Sequence, residues 1–181
     1  MQKVQTILIP VDGSDHADHG LEIGCALADH YAAAVVLVCV TGHHRISEDL
    51  LNAAVAEGVV HPPSYRQFAE TFMEGDETLA AQAQNQNRLA ERVGHAVAEF
   101  VVRQGQTYSQ GQHVNRVTTV ICNGDPADQI VRQAQQHKAD LIVMGTRGLE
   151  GLGALLHASV SDAVHKHAPC PCIVCHPARE R

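Results

Sequence analysis

A doubly wound α/β domain built on a parallel sheet is the fold class this sequence predicts, and three observations carry it. Short apolar runs at Val4–Val11, Ala32–Val40 and Ala139–Met144 alternate with helical stretches, the pattern of βαβ units whose parallel strands are joined by right-handed crossovers. The run Ala32–Val40 (AAAVVLVCV) is apolar at every position, so both its faces are expected to be buried, as in the interior of a parallel sheet. Aromatics make up only 3% of a chain that is 45% hydrophobic, and Trp is absent; the core is therefore aliphatic, which suits a sheet covered by helices.

At 181 residues the chain fits one domain spanning residues 1–181, long enough to bury a substantial core. The first strand, Val4–Val11, ends at Asp12-Gly13-Ser14-Asp15, where Ser14 or Asp15 can cap a helix to about His30. After the second strand, roughly seventy residues pass before the next one at His113–Cys122, far more than a single crossover needs. The surplus is read as an insertion at about 42–75: a short helix over Ser47–Glu57, then a lid-like excursion over Gly58–Gly75 with Pro62-Pro63, Phe68 and Phe72. A long crossover helix follows over Asp76–Gln104, its stripe formed by Leu79, Ala83, Leu89, Val93, Val97 and Val101. Gly124-Asp125-Pro126 opens a helix to about His137, with Pro126 in the first turn where its missing N–H costs nothing. The strand Ala139–Met144 leads into Gly145–Gly153, a helix runs over Ser159–His167, and Pro171–Cys175 is a last short strand.

Charge and composition exclude several classes. A formal net charge of -7 without a Lys/Arg cluster argues against a nucleic-acid surface, which needs clustered cations to neutralise phosphates. No apolar run approaches membrane-spanning length and the N-terminus reads as a strand rather than a signal peptide, so the expectation is a cytoplasmic protein without membrane insertion. Six cysteines in that setting are expected to be reduced thiols.

The most informative segment carries four glycines in nine residues, GTRGLEGLG at Gly145–Gly153. A glycine-rich loop between a strand and a helix suits phosphate, because backbone N–H groups converge on the anion and the helix N-terminus adds positive potential. Ser159 and Ser161 stand where the helix begins, placed to donate to phosphate oxygens or to cap the helix. Arg147 can add a charge or face solvent, and the same two readings apply to His157. Asp12 after the first strand and Gly145 after the fourth both lie at carboxyl ends of strands, where open α/β sheets bind ligands.

With these residues in view the chain resembles the universal stress protein family, specifically its ATP-binding members. The resemblance covers Val4–Val40 and Val114–Val174 and is carried by Ile9–Ser14 (IPVDGS), Gly124-Asp125-Pro126, Asp140–Gly148 (DLIVMGTRG), Ser159-Val160-Ser161 and Ala168–Pro171 (APCP). The family signature is glycine, two residues, glycine, nine residues, glycine and then serine or threonine. Gly145, Gly148 and Ser159 match it in register, and Ala158 stands where the third glycine belongs.

The resemblance implies a flavodoxin-like five-stranded parallel sheet of order 3-2-1-4-5, with the insertion between strand 2 and the long crossover helix. It also implies a homodimer, with the last strands (171–175) as the candidate contact. It puts Asp12 and Val40 near adenine and ribose, and Gly145, Gly148, Ser159 and Val160 at the phosphates. With flanking positions, the candidate nucleotide-binding set is Pro10, Val11, Asp12, Val40, Met144, Gly145, Arg147, Gly148, Ala158, Ser159, Val160 and Ser161. The implied ligand is ATP or another adenine nucleotide, with or without Mg2+, and the implied role is stress-response regulation through a protein partner.

A catalytic reading has less to rest on. Phosphoryl transfer uses a lysine on the phosphates, a magnesium ligand and a residue that orients the nucleophile; there is no GxxxxGK[ST] loop, and Asp12 and Asp125 read as turn formers. Slow ATP hydrolysis is the most that is expected. A nucleotide-free dimeric interaction or stress-protective protein is the first alternative. A thiol- or metal-linked sensor using Cys170, Cys172, Cys175 and His176 is the second; alternation along a strand puts Cys172 and Cys175 on opposite faces, so no metal is assigned to them within one chain.

Overall fold

The structure is a computed structural model and describes residues 3–41, 48–58, 80–146 and 160–176. Five strands form one sheet: β1 (Thr6–Pro10), β2 (Ala34–Thr41), β3 (Val117–Asn123), β4 (Leu141–Gly145) and β5 (Cys172–Cys175). They are ordered β3-β2-β1-β4-β5, and every neighbouring pair is parallel. Between them run α1 (Asp15–Tyr31), α2 (Glu48–Ala56), α3 (Ala80–Gly111), α4 (Pro126–Gln136) and α5 (Val160–His167). This is the α/β fold and strand order expected. Among the described residues no helix is long and apolar enough to cross a membrane.

Strand alternation divides the core into two layers. Ile7, Ile9, Val35, Leu37, Cys39 and Val143 face one way, where they meet Leu21 and Cys25 of α1 and Val93, Val97 and Val101 of α3. Leu8, Val36, Val38, Ile142 and Met144 face the other way, against Ile130 and Ala134 of α4 and Val164 of α5. The largest fully buried side chains are Ile, Leu and Val, as the scarcity of aromatics requires. β2, between β3 and β1, is buried on both faces from Val35 to Cys39. α2 joins the first layer through Ala54, which is fully buried.

Several boundaries differ from the sequence reading, among them β1 at Thr6–Pro10 rather than Val4–Val11 and β4 at Leu141–Gly145 rather than Ala139–Met144, and three have a clear physical reason. The crossover helix continues past Gln104 to Gly111, because Gly105 is buried against Leu37 and Ser109 closes its own hydroxyl onto the Gly105 carbonyl at 2.7 Å, so neither residue breaks the helix. The third strand begins at Val117 rather than His113, since His113 has φ 64 and belongs to the turn after α3. The second strand begins at Ala34 rather than Ala32, because Ala32 (φ 51) terminates α1 and its N–H bonds back into the helix. Residues 76–79, and of the insertion 42–47 and 59–75, lie outside the described residues.

Candidate functional site

In the order β3-β2-β1-β4-β5 the chain reverses its direction of winding between β1 and β4, and the carboxyl ends of those two strands open the crevice such sheets use for ligands. β1 leaves the sheet through Pro10 and Val11, the latter held by its N–H on the Val38 carbonyl at 2.9 Å. The turn that follows is knotted by Asp12. Its carboxylate accepts from the Ser14 N–H at 3.0 Å and from the Ser14 hydroxyl at 2.6 Å, while Gly13 takes φ 77. The Ser14 hydroxyl oxygen in turn accepts from the Ala17 N–H at 3.3 Å and caps α1. Of the two capping candidates, Ser14 is the cap.

At the end of β4 the first glycine of the loop has a reason the sequence did not reveal. A β-carbon on Gly145 would run into the His16 carbonyl of α1, and one on Gly20 would lie 2.6 Å from the Gly145 nitrogen and 3.0 Å from the Met144 carbonyl carbon. Two glycines therefore let the first turns of α1 rest directly on the β4 backbone, and Gly145 is required for space. Beyond it, Thr146 is buried and its N–H bonds to the Cys175 carbonyl at 3.1 Å, which ties the start of the loop to the end of β5.

The facing layer supplies an apolar floor. Val40 at the end of β2 is half-buried against the α4/α5 core, as are Cys122, Ala127 and Val160. The chain turns from β3 into α4 through Gly124 (φ 135), whose N–H bonds to the Thr41 carbonyl at 3.1 Å. Asp125 then caps α4 by accepting from the Asp128 N–H at 3.0 Å, with Pro126 in the first turn. Val160 opens α5 and Ser161 follows, buried.

The structure thus brings Pro10, Asp12, Val40, Met144, Gly145, Val160 and Ser161 to one end of the sheet. Val11 is also there, but its side chain is buried in the α1/α3 core, so the backbone is what it can offer a ligand; the Met144 side chain is likewise part of the α4/α5 core. Arg147, Gly148, Ala158 and Ser159, with His157, lie outside the described residues. Sequence reasoning passed over Gly20 and His16. A helix-interior glycine one turn after a capped start was the available signal for the first.

Electrostatics at this end are acidic at the start of α1. Asp18 is raised above the usual carboxylate value, first by partial desolvation and then by the charges of Asp15, Asp12 and Glu22. The cysteines are arranged against a thiolate site. Cys172 packs on the α4/α5 side and Cys175 on the α1/α3 side. Burial raises all six thiols, Cys39 to about 12 with help from Asp12 and Cys122, and Cys172 to about 11 with help from Cys170 and Cys175. Neutral thiols are poor nucleophiles. No group of three His, Cys, Asp or Glu able to hold a metal ion occurs among the described residues.

The universal stress protein family model matches residues 3–176. The chain belongs to the universal stress protein family. A universal stress protein of Thermus aquaticus, from the 3' region of a sulfhydrylase gene, is 32% identical over 170 residues, covering 94% of this chain and 97% of the relative. Among solved structures, a universal stress protein of Lactobacillus plantarum shares the fold with a TM-score of 0.66 at 23% identity, covering 96% of this chain and 99% of that one. A universal stress protein solved in complex with cAMP has a TM-score of 0.61 at 17% identity, covering 98% and 100%. Two more family members share the fold at 16% identity. One, from Arabidopsis thaliana with AMP bound, has a TM-score of 0.60 and coverage of 97% and 93%; the other, from Archaeoglobus fulgidus with dAMP, has 0.53, 96% and 98%.

Proposed function

We propose that this universal stress protein binds an adenine nucleotide in the crevice at the carboxyl ends of β1, β2 and β4, and that the bound state is passed to a protein partner in the stress response. The observations that carry the reading are the reversal of winding between β1 and β4 and the half-buried apolar side chains of Val40, Ala127 and Val160 on the α4/α5 core. A flat, largely apolar base fits apolar side chains of this kind, and an anion fits backbone N–H groups at a helix start. Asp12 and Val40 line the base and ribose side, with Pro10, Val11 and Met144 behind them. Gly145, Gly148, Ala158, Ser159, Val160 and Ser161 hold the phosphates through backbone N–H and hydroxyl groups, and Arg147 adds charge. Family members that carry cAMP, AMP and dAMP support an adenine nucleotide as the ligand class. Within that class we favour ATP, with Mg2+ as its counter-ion.

A homodimer through β5 goes with this reading. β5 pairs on one side with β4 and stands at the edge of the sheet, with Ile173 39% exposed; a second β5 would cover it. The rival, a nucleotide-free protective or interaction protein, rests on Ala158 in place of the third signature glycine. Calorimetric titration with ATP, AMP and cAMP, with and without Mg2+, on the wild type and on Ala158→Gly separates the two. Saturable binding by the wild type supports the nucleotide reading. Binding by the glycine variant alone, or by neither, supports the rival.

A further inference from the structure

Among the described residues one buried side-chain nitrogen or oxygen lacks a hydrogen-bond partner, the Nδ1 atom of His16. His16 is the second residue of α1, after the Ser14 cap, and its backbone carbonyl is the group on which Gly145 closes. The His16 backbone therefore lies at the junction of the Asp12–Ser14 turn with the end of β4, beside the β1–β4 switch point. Buried polar atoms are nearly always paired, and one left unpaired lowers the stability of the folded chain. An apolar side chain of similar size would carry no such penalty. An unpaired group of this kind calls for an explanation, and a bound molecule that completes it is one, since binding then removes the penalty as well as adding a contact.

We propose that His16 is a ligand-contacting residue whose Nδ1 takes its missing hydrogen bond from an oxygen of the bound nucleotide. The inference rests on the nucleotide reading above. An imidazole nitrogen donates to a phosphate oxygen when it carries a hydrogen and accepts from a ribose hydroxyl when it does not; both are oxygen groups of one ligand, and two ligands distinguish them.

The test uses calorimetry with AMP and with adenosine on the wild type, His16→Leu and His16→Asn, and melting temperatures without ligand. Asn places its amide group at the same number of bonds from Cβ as Nδ1 and restores the hydrogen bond. His16→Leu is expected to bind AMP about tenfold more weakly, the loss of one charge-assisted hydrogen bond. His16→Asn is expected to stay within about threefold of wild type by the same scale. Without ligand, His16→Leu melts about 2–4 °C higher, a gain that a purely structural histidine would not allow. A deficit for AMP alone assigns the phosphate oxygen, and an equal deficit for adenosine assigns the ribose. Leu binding AMP as tightly as wild type, or melting lower without ligand, overturns the proposal while leaving the nucleotide reading in place. A wild type that binds no nucleotide overturns both.

Discussion

Substituting alanine for Gly20 and for Gly94 makes the same chemical change in the interior of two helices, and the structure predicts opposite signs. Glycine in a helix interior is about 1 kcal/mol worse than alanine, so propensity alone favours both variants by about that much. At Gly94 a β-carbon meets nothing within 4 Å, and the propensity gain stands alone. At Gly20 the new methyl lies 2.6 Å from the Gly145 nitrogen and 3.0 Å from the Met144 carbonyl carbon. Both are backbone atoms of β4, which cannot turn aside as a side chain can. Overpacking of this kind costs about 1–3 kcal/mol, and the close, rigid contacts put Gly20 at the upper end. The net is a loss of about 1–2 kcal/mol against a gain of about 1 kcal/mol at Gly94. At about 2–4 °C per kcal/mol for a chain of this size, Gly94→Ala should melt a few degrees above wild type and Gly20→Ala a few degrees below. Urea unfolding with a shifted midpoint and unchanged slope is the confirming assay. Gly20→Ala melting as high as Gly94→Ala would refute the claim that α1 rests on the β4 backbone, and with it the geometry of the crevice.

Two further outcomes follow from single interactions. The Asp140 carboxylate accepts from the Gln5 and Thr6 N–H groups at 2.8 and 3.0 Å, so Asp140→Ala leaves two N–H groups at the start of β1 without that partner and should lower unfolding free energy by about 1–3 kcal/mol; urea titration showing no change would contradict this. The Cys39 thiol is pushed up to about 12, chiefly by burial. A folded-state value above the unfolded one gives stability that is complete below the unfolded value near 9 and is lost as pH rises towards 12. Stability measured by urea titration at successive pH values should fall by about 1 kcal/mol per pH unit from this group in that window, and Cys39→Val should flatten the slope. Equal slopes for the two proteins would rule the buried thiol out as the cause.

How much of this was legible in the sequence depended on whether the information was local. The run Ala32–Val40 pointed to a strand buried on both faces because it is continuous, short and β-branched, and the structure buries Val35–Cys39 of it on both faces. The Asp12-Gly13-Ser14 and Asp125-Pro126 starts were legible because capping is a rule about adjacent residues. The end of α3 was not. Gly105 looks like a stop signal, yet it is chosen by Leu37, whose Cδ1 lies 3.2 Å from where a β-carbon would be. Ser109, fully buried and bonded to the Gly105 carbonyl, is invisible to a search for apolar periodicity. Asp12 and Gly145 were candidates from their place after strand ends and Val40 from the family resemblance, and the structure adds that Gly145 must be small because the His16 carbonyl lies on it. Gly20 and His16 act across space, from a helix onto a strand more than a hundred residues away, and no spacing along the chain announces such a contact.

Backbone amide NMR during titration with AMP tests the central claim most directly, because it reports on every described strand end at once. Saturable shifts are expected at Asp12–Ser14, Val40–Thr41, Gly145–Thr146 and Val160–Ser161, with the opposite end of the sheet, at Ala32, Arg116 and Asp140, unmoved. Shifts centred on that opposite end, or no shifts at saturating AMP, would contradict it.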